Sequence, residues 1–470
     1  MRHFEVIRDP LWDNITLDGP ALALVDTPAV QRLRYVRQLG HAFLVYPGAT
    51  HSRFEHALGA YHLTRRALQT LEARGELEGV TAEDRAAVAF SALLHDIGHY
   101  PFSHALEEAG FVSHEAQGAA RLPAGELGRR LTELGGQQLL EAIAALMRGR
   151  SRSPLQGLIS GSLDLDKIDY LCRDSLMCGV PYGTVDVDRL LASLTLVESA
   201  GGREIGVHEK GASALESLLF SKYQMYRNVY WHHAVRSATC MFKRAAREAV
   251  RRGTVTAEAV ADLTDDAFMQ LLVERDRSRL GQAIQARRLF KRALDLPATE
   301  VTPQPAAWIA TDPGLTERVE DRLARECGLD PGELLLDFPA RDDLLSVDLP
   351  LRLRDGTAIR LTDEGRAGHI GLPRIAAELY RSARRLRVFV AGPPPIGRPL
   401  DRVAELIEMP AEEVERRLAG SGGLQRGLRP RGAQQPHRSI EHDDNHEPAN
   451  PDQRQRPDQE GGDQNRRHSP

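Results

Sequence analysis

Between Ala86 and Leu94 the chain is apolar on nearly every side of a helix, and the next two residues are His95 and Asp96. A helix with no polar face is driven into the interior, and this one ends on an imidazole and a carboxylate. A buried charge needs an opposite charge, hydrogen bonds or a metal ion. The fold must therefore deliver other polar groups to this point from elsewhere in the sequence. The histidines mark where to look: of 17, seven (His51, His56, His62, His95, His99, His104 and His114) fall within 64 residues.

The periodicity around this segment is helical. Asp26-Thr27-Pro28 reads as a helix start, with Val30, Leu33, Val36 and Leu39 following at helical spacing until Pro47-Gly48. From Arg53, the residues Phe54, Leu58, Tyr61, Leu68 and Leu71 predict a helix ending near Gly75. Thr81 is the expected cap of the helix over Ala86–Leu94, with Glu83 and Asp84 in its first turn. Further helices are predicted over 126–148, 165–177, 186–195, 212–250, 256–274 and 278–295.

Two hairpins stand out. Leu194–Val197 and Glu204–Val207 flank Ser199-Ala200-Gly201-Gly202, and Val347–Leu353 turns at Asp355-Gly356 into Ala358–Leu361. Arg387–Val390 is a candidate third strand for the second. From Gln425 to Pro470 only Leu428, Ala433, Ile440 and Ala449 are apolar, too few to offset the entropy of ordering. The reading is three parts: a core over 1–300, a small α+β region over 301–424 and a disordered polar tail over 425–470.

Composition excludes several classes. With 61 Lys+Arg against 66 Asp+Glu, the chain is no generally basic coat for nucleic acid, although a local basic groove remains open. No apolar run approaches the roughly 18 residues of a membrane span, and Met1-Arg2-His3-Phe4-Glu5 lacks the core of a secretory signal. Four cysteines without a CxxC pair argue against a disulfide framework or a zinc knuckle. The expectation is a cytoplasmic protein.

The residues able to do chemistry are His56, the pair His95-Asp96 and Asp166. Two imidazoles and two carboxylates suit Mn²⁺, Fe²⁺, Co²⁺, Ni²⁺ or Zn²⁺, with Mg²⁺ less natural. Their contexts are His51-Ser52-Arg53-Phe54-Glu55-His56-Ala57-Leu58-Gly59, then Leu94-His95-Asp96-Ile97-Gly98-His99-Tyr100-Pro101-Phe102-Ser103-His104, then Leu165-Asp166-Lys167-Ile168-Asp169-Tyr170-Leu171-Cys172-Arg173-Asp174. In this order, from about Ile7 to Met241, they resemble the HD-domain metal-dependent phosphohydrolases. More narrowly they resemble the deoxynucleoside triphosphate triphosphohydrolases, dGTPase-like enzymes that include the catalytic core of the SAM-and-HD-domain proteins. The match begins almost at the first residue, so no SAM domain is expected ahead of it.

That resemblance implies a mainly α fold: a helical HD-domain core with small β-hairpins and a smaller α+β C-terminal region. It implies His56, His95, Asp96 and Asp166 as ligands of a divalent metal. It places Arg53 at the α-phosphate, His99, His104 and His114 along the phosphate channel, and His104 as the acid for the leaving 5′-oxygen. Glu107 stands where the family has Asp, and Lys222 where it has Arg, so charge is kept while arm length or bidentate geometry changes. Gln38, Leu39, Tyr170 and Asp174 fall on sugar-contacting positions and Lys167 on a triphosphate contact. Asp26, Gln31 and Arg34 match an activating-nucleotide site, with Glu5 replacing a basic residue there. The implied partners are dNTPs, an activating nucleotide and further copies of the chain in a dimer or tetramer.

Blander readings apply to several residues. Asp169 and Arg173, at i and i+4, are as readily a structural ion pair as catalytic. Glu55 reads as a surface residue or one behind the site, His51 and His62 as structural, and Tyr223, Tyr226 and Tyr230 as packing in preference to stacking on a base. His232-His233 is either a nucleotide contact or a solvated helix face. The expected reaction is hydrolysis of dNTP to deoxynucleoside and tripolyphosphate. The alternatives are another HD-type phosphohydrolase (a phosphodiesterase, 5′-nucleotidase or alarmone hydrolase) and a non-catalytic nucleotide or single-stranded nucleic-acid binding module.

Overall fold

In a computed structural model, residues 4–199, 201–275, 278–301, 307–339, 347–362, 371–393, 400 and 402–428 are described. Most of the expected tail, 429–470, lies outside them. An antiparallel hairpin, β1 (Phe4–Asp9) and β2 (Asp13–Asp18), opens the chain. Short helices α1 (Gly19–Val25) and α2 (Pro28–Gln31) lead into α3 (Arg53–Ala73), α4 (Ala82–Leu94), α5 (His114–Arg121), α6 (Gly125–Met147) and α7 (Leu165–Cys178). Then come α8 (Val187–Ser193), β3 (Leu194–Ser199), β4 (Gly202–His208), α9 (Ala212–Met225), α10 (His233–Arg251), α11 (Ala257–Asp262), α12 (Asp265–Arg275) and α13 (Leu280–Gln285). The last part holds β5 (Lys291–Pro297), α14 (Ala307–Thr311), α15 (Pro313–Glu326), β6 (Leu334–Asp337), β7 (Leu349–Arg352), β8 (Ala358–Leu361), α16 (Leu372–Ala383), β9 (Arg385–Val390), α17 (Val403–Ile407) and α18 (Ala411–Ala419). The fold is mainly α with small sheets, as the sequence implies.

The apolar helix α4 is the pivot. Every residue from Ala87 to Leu94 is buried, and each large side chain among them contributes about 1.5–3 kcal/mol by leaving water. Thr81 caps it: its hydroxyl accepts from the Asp84 N–H at 3.0 Å, and the Asp84 carboxylate accepts from the Thr81 N–H at 3.2 Å. The apolar faces of α3, α4, α6 and α7 share one core with Ile15 and Leu17 of β2 and Leu349 and Leu351 of β7. A second core gathers α15, α17, α18, β6 and β9, and a third joins α10, α12 and α13 to Tyr100 and Phe102.

Both expected hairpins form, β3 with β4 and β7 with β8, and β7 pairs in parallel with β4 to make one sheet. The expected strand near Arg387 is β9, but it pairs with β5 and β6 in a separate sheet. That pairing also corrects the helix expected over 278–295. Only Leu280–Gln285 is helical, and from Lys291 the chain is drawn out as the partner of β9, sheet context overriding local preference.

Four other helices differ from expectation; that over 126–148 leaves helical geometry at Gly135-Gly136, where α6 kinks. The one starting near Asp26 makes a single α turn after Thr27, whose hydroxyl donates to the Leu24 carbonyl rather than capping the turn, followed by a 3₁₀ turn over Arg32–Tyr35. Its apolar residues recur every three positions, which is the 3₁₀ period. The long helix over 212–250 breaks at a π turn, Tyr226–Tyr230, which turns Tyr226, Tyr230 and Trp231 onto one cavity. The 256–274 helix is two, parted at Leu263-Thr264.

Candidate functional site

Three chain segments converge where α4 ends. The first is the start of α3, where the Glu55 carboxylate accepts from the Ser52 N–H and hydroxyl; Glu55 is thus a capping residue. Its first turns project Arg53 and His56 inward. The second is His95-Asp96, at the end of α4. The third is α7, begun by Asp164, whose carboxylate accepts from the Lys167 N–H at 3.1 Å, with Asp166 in its first turn.

His56 Nε2 lies 2.7 Å from Asp166 Oδ1 and 3.2 Å from His95 Nε2, and His95 Nε2 is 3.4 Å from Asp166 Oδ1. Asp96 adjoins them, with Oδ1 3.3 Å from His95 Nε2 and Oδ2 3.8 Å from His56 Nε2. Ligands about 2.1 Å from one divalent ion stand roughly 3.0–3.4 Å apart at octahedral or tetrahedral angles. Three of the five separations lie in that range, and nitrogen and oxygen donors so placed suit such an ion once the 2.7 and 3.8 Å pairs adjust by a few tenths of an ångström. Arg53 crosses the group, its Nη1 donating to Asp96 Oδ2 at 2.6 Å and its Nε to Ser103 Oγ at 3.0 Å.

The charge states follow from these contacts. Burial works against a proton on His56, but hydrogen bonds to Asp166 and Asp169 outweigh it and push the imidazole up to about 10. His95 also moves up: burial opposes its charge, and Asp96 and Asp166 overcome that. Asp166 and Asp96 are held well below the usual carboxylate range despite burial, the first by His56 and His95, the second by Arg53 and then His95. A cation taking this seat displaces protons from the imidazoles.

Behind His56 stands Asp169, fully buried. Its carboxylate accepts from His56 Nδ1 at 2.8 Å, from Arg173 Nε and Nη2 at 2.9 Å each, and from Trp12 Nε1 at 2.5 Å. Arg173 in turn donates to Asp9 at 2.8 Å, and Asp9 also accepts from the Leu11 and Trp12 N–H groups. The i,i+4 pair is therefore structural and at the same time aims His56: with Nδ1 occupied, Nε2 faces the cluster. A Cβ at Gly59 would come 1.8 Å from Asp169 Oδ1, so only glycine admits this pair against α3.

Beyond Asp96 lies a second histidine group. His99 Nε2 is 3.1 Å from Asp96 Oδ1, and its ring stacks on His114 at 3.9 Å. His104 Nδ1 and His114 Nδ1 both reach Glu107, at 3.0 and 3.1 Å. The longer arm of Glu107 thus still bridges the two rings. Burial, then Arg53 and His114, holds His99 well below its usual range. Between these groups Phe102 and Ser103 sit at φ +57° and +61°, an uncommon backbone for residues with a Cβ. Asp265 fixes it by accepting from the Phe102 N–H at 2.8 Å.

Both groups open on one cavity of about 550 Å³, within the range of small-molecule sites. Gln38, Leu39, Arg53, His95, Asp96, His99, His104, Glu107, His114, Asp166, Lys167, Tyr170, Asp174 and Lys222 all line it. His56 sits just behind. Lys167 is already engaged: its ammonium donates to Asp164 Oδ2 at 2.6 Å and to the Gly161 carbonyl at 2.5 Å. Asp174 is held by His51 Nε2 and the Tyr230 hydroxyl, each at 2.7 Å. His51 and Tyr230 therefore position a cavity carboxylate, which sequence reasoning left as plain structure and packing. His232 and His233 do not line the cavity; His232 Nδ1 accepts from the Ala234 N–H at the start of α10.

The proposed activator residues lie elsewhere. Asp26 is exposed, Gln31 donates to the Val25 carbonyl at 2.9 Å, and Arg34 donates to Gln31 at 2.8 Å and lies over the Phe54 ring at 3.6 Å.

Residues 53–174 match the HD domain model, and 185–364 match the HD-associated region that accompanies it. An uncharacterized protein of Methanocaldococcus jannaschii, MJ1154, is 36% identical over 328 residues, 69% of this chain and 68% of that one. The Gallus gallus deoxynucleoside triphosphate triphosphohydrolase SAMHD1 is 27% identical over 343 residues, 61% of this chain. The chain spans only 55% of that relative's length. The crystal structure of a Bacteroides thetaiotaomicron phosphohydrolase superposes with a TM-score of 0.65 at 23% identity, over 83% of this chain and all of that one, a likeness of fold. Among the described residues no helix is long and apolar enough to cross a membrane.

Proposed function

The chain belongs to the HD-domain family of metal-dependent phosphohydrolases, and from that premise we propose that it cleaves deoxynucleoside triphosphates to deoxynucleoside and inorganic tripolyphosphate. The observation that carries this reading is the convergence of His56, His95, Asp96 and Asp166 at one end of a cavity also lined by arginine, lysine and four further imidazoles. Similarity to SAMHD1 proteins, named for that reaction, supports it.

His56, His95, Asp96 and Asp166 would hold the ion. When bound, a divalent cation supplies Lewis acidity, lowering the pKa of coordinated water towards roughly 7. Arg53 spends Nη1 on Asp96 and Nε on Ser103, which fixes its plane and leaves Nη2 for an α-phosphate oxygen. Water adds to the α-phosphorus, losing a proton to bulk solvent from which His104 is later reprotonated, and the P–O5′ bond breaks. His104, held by Glu107, gives its proton to the departing 5′-oxygen. All three phosphorus atoms leave as tripolyphosphate. His99 and His114 line its path, and Lys167, engaged by Asp164, supplies positive charge more than a direct contact. Lys222 adds a further charge. Tyr170 and Asp174 face the sugar, with Gln38 and Leu39 on its other side.

The test is to incubate the protein with each dNTP and NTP plus Mn²⁺ or Mg²⁺ and separate the products. Deoxynucleoside with tripolyphosphate is the expected outcome; monophosphate with pyrophosphate overturns it. The same reading includes an activating nucleotide at Asp26, Gln31 and Arg34 and a homo-oligomer. Rates that stay linear in dNTP mixtures would remove the activator, and a monomeric mass by light scattering would remove the assembly.

A further inference from the structure

One wall of the cavity is made by Gln38, Leu39, Gly40 and His41 with Phe102 and Thr239. The backbone here is tied down from several sides. The Gln38 N–H donates to the His51 carbonyl at 3.0 Å, and the Gln38 carbonyl accepts from the Ser103 hydroxyl at 3.1 Å. Gly40 has φ +51°, and a Cβ there would stand 3.1 Å from the Phe102 carbonyl. Glycine thus lets the segment lie directly on the left-handed Phe102. The His41 ring is clamped as a result, stacked on Phe102 at 4.3 Å and 14° and edge-on to Phe242 at 5.0 Å.

Polar atoms on two side chains of this fixed segment have no hydrogen-bond partner among the described residues. His41 is 2% exposed, and neither ring nitrogen has a hydrogen bond. Gln38 Oε1, three residues back, is likewise buried and unpaired. Buried polar atoms are nearly always paired, because leaving one unmade forfeits its hydration. A phenyl or aliphatic side chain would fill the place between Phe102 and Phe242 without that cost. The clamped ring lines the cavity, so the partner it can gain is one brought there. Burial, and secondarily Arg37, pulls the ring down to about 3. It is therefore neutral at working pH, with one N–H donor and one lone pair.

We propose that His41 is a specificity-determining residue that reads the nucleoside part of the substrate through one hydrogen-bond donor and one acceptor on a fixed ring. This rests on the reading of the cavity as a nucleotide site. The matching chemistry is a group that accepts and donates side by side, either a nucleobase edge or a sugar hydroxyl. A site built around such a bond rejects an analogue that cannot make it far more strongly than an apolar pocket does.

The experiment uses the full chain with His41→Phe, which keeps ring and stack but removes both nitrogens, and His41→Gln, which restores a donor and an acceptor. Steady-state rates with Mn²⁺ are measured on the four dNTPs, the matching NTPs and bis-nitrophenyl phosphate, a phosphodiester without nucleoside. The expected result is a rise of about tenfold or more in KM for the preferred nucleotide in His41→Phe. Discrimination narrows across bases if the contact is to the base, or between deoxyribose and ribose if it is to the sugar. Turnover of the nucleoside-free diester stays within about twofold, and His41→Gln recovers part of the loss. Equal losses on every substrate, the diester included, or no change in any KM in a folded variant, overturn the proposal. Should His41→Phe fail to fold, His41→Gln against His41→Ala carries the same comparison. If no nucleotide is turned over while the diester is, the functional reading has failed but His41 is still tested by calorimetry with deoxynucleosides. Tighter binding by the unsubstituted chain than by His41→Phe supports the contact, and equal binding overturns it.

Discussion

Around His56 and His95, three carboxylates (Asp96, Asp166 and Asp169) surround two imidazoles, whereas beyond them His99 borrows Asp96, His104 and His114 meet on Glu107, and His114 also lies 3.5 Å from Glu115. The two groups face one cavity and are joined through Asp96. The first is braced from behind by a buried chain running His56, Asp169, Arg173, Asp9. Among the described residues no such chain backs the second, and His99 Nδ1 is buried without a hydrogen-bond partner. Excess carboxylate with fixed imidazole orientation favours a cation. Three imidazoles on a partly exposed wall beside Arg53 suit, on the proposed reading, an anion that comes and goes, while their donor atoms with Glu107 also lie close enough together for a cation. On that proposal the same residue type serves opposite charges according to what stands behind it.

The strongest way to break this contrast is Asp166→Ala. Losing a donor that touches both imidazoles should lower the hydrolysis rate by about a thousandfold or more, the several kcal/mol a catalytic metal supplies. Bound divalent metal, measured by elemental analysis, should fall with it. Retention of both would remove the cation reading from the first group. Next is Gly59→Ala, which drives a methyl group into Asp169 and Arg173. Overpacking of this kind costs about 1–3 kcal/mol, read as a lower urea midpoint with weaker metal binding. An unchanged midpoint would mean that the brace yields freely.

Asp169→Asn is gentler, because Arg173 keeps Asp9 and the side-chain shape is conserved. Removing an outer carboxylate from a metal-bound histidine typically costs about 10- to 100-fold in affinity. A metal titration should show that loss, while binding of free tripolyphosphate in the second group stays as it was. Equal loss at both groups would mean that Asp169 merely holds the fold together.

How much of this was legible in sequence depended on distance along the chain. The all-apolar Ala86–Leu94 helix and its Thr81 cap are local signals, and His95-Asp96 at its end announced a buried polar cluster. The brace behind it was not legible. Asp169 and Arg173 showed only their i,i+4 spacing, while Trp12 and Asp9 reach them across 157 and 164 residues. The β1–β2 hairpin that delivers them was missed because β1 is exposed at Phe4, Glu5 and Val6 and so lacks alternation between an apolar and a polar face. The break in 212–250 was hidden because a π turn adds a residue without ending the apolar pattern. Lys291–Pro297 became a strand only because β9 was there to pair with it. His41 carried no signal at all: its meaning lies in partners it does not have.

The smallest expected effect separates the two groups most cleanly. Burial would raise the Glu107 carboxyl, but hydrogen bonds from His104 and His114 hold it well below the usual glutamate range. A carboxyl that titrates lower in the folded chain than in the unfolded one stabilises the fold above its ordinary pKa of about 4.3, and that contribution fades as the pH falls below it. Glu107→Gln should therefore cost about 1 kcal/mol at pH 7 and less at pH 4, compared by urea unfolding at the two pH values. Metal affinity should not move, because Glu107 touches neither His56, His95 nor Asp166. A deficit equal at both pH values would mean that Glu107 acts by shape alone. A parallel fall in metal binding would merge the two groups into one.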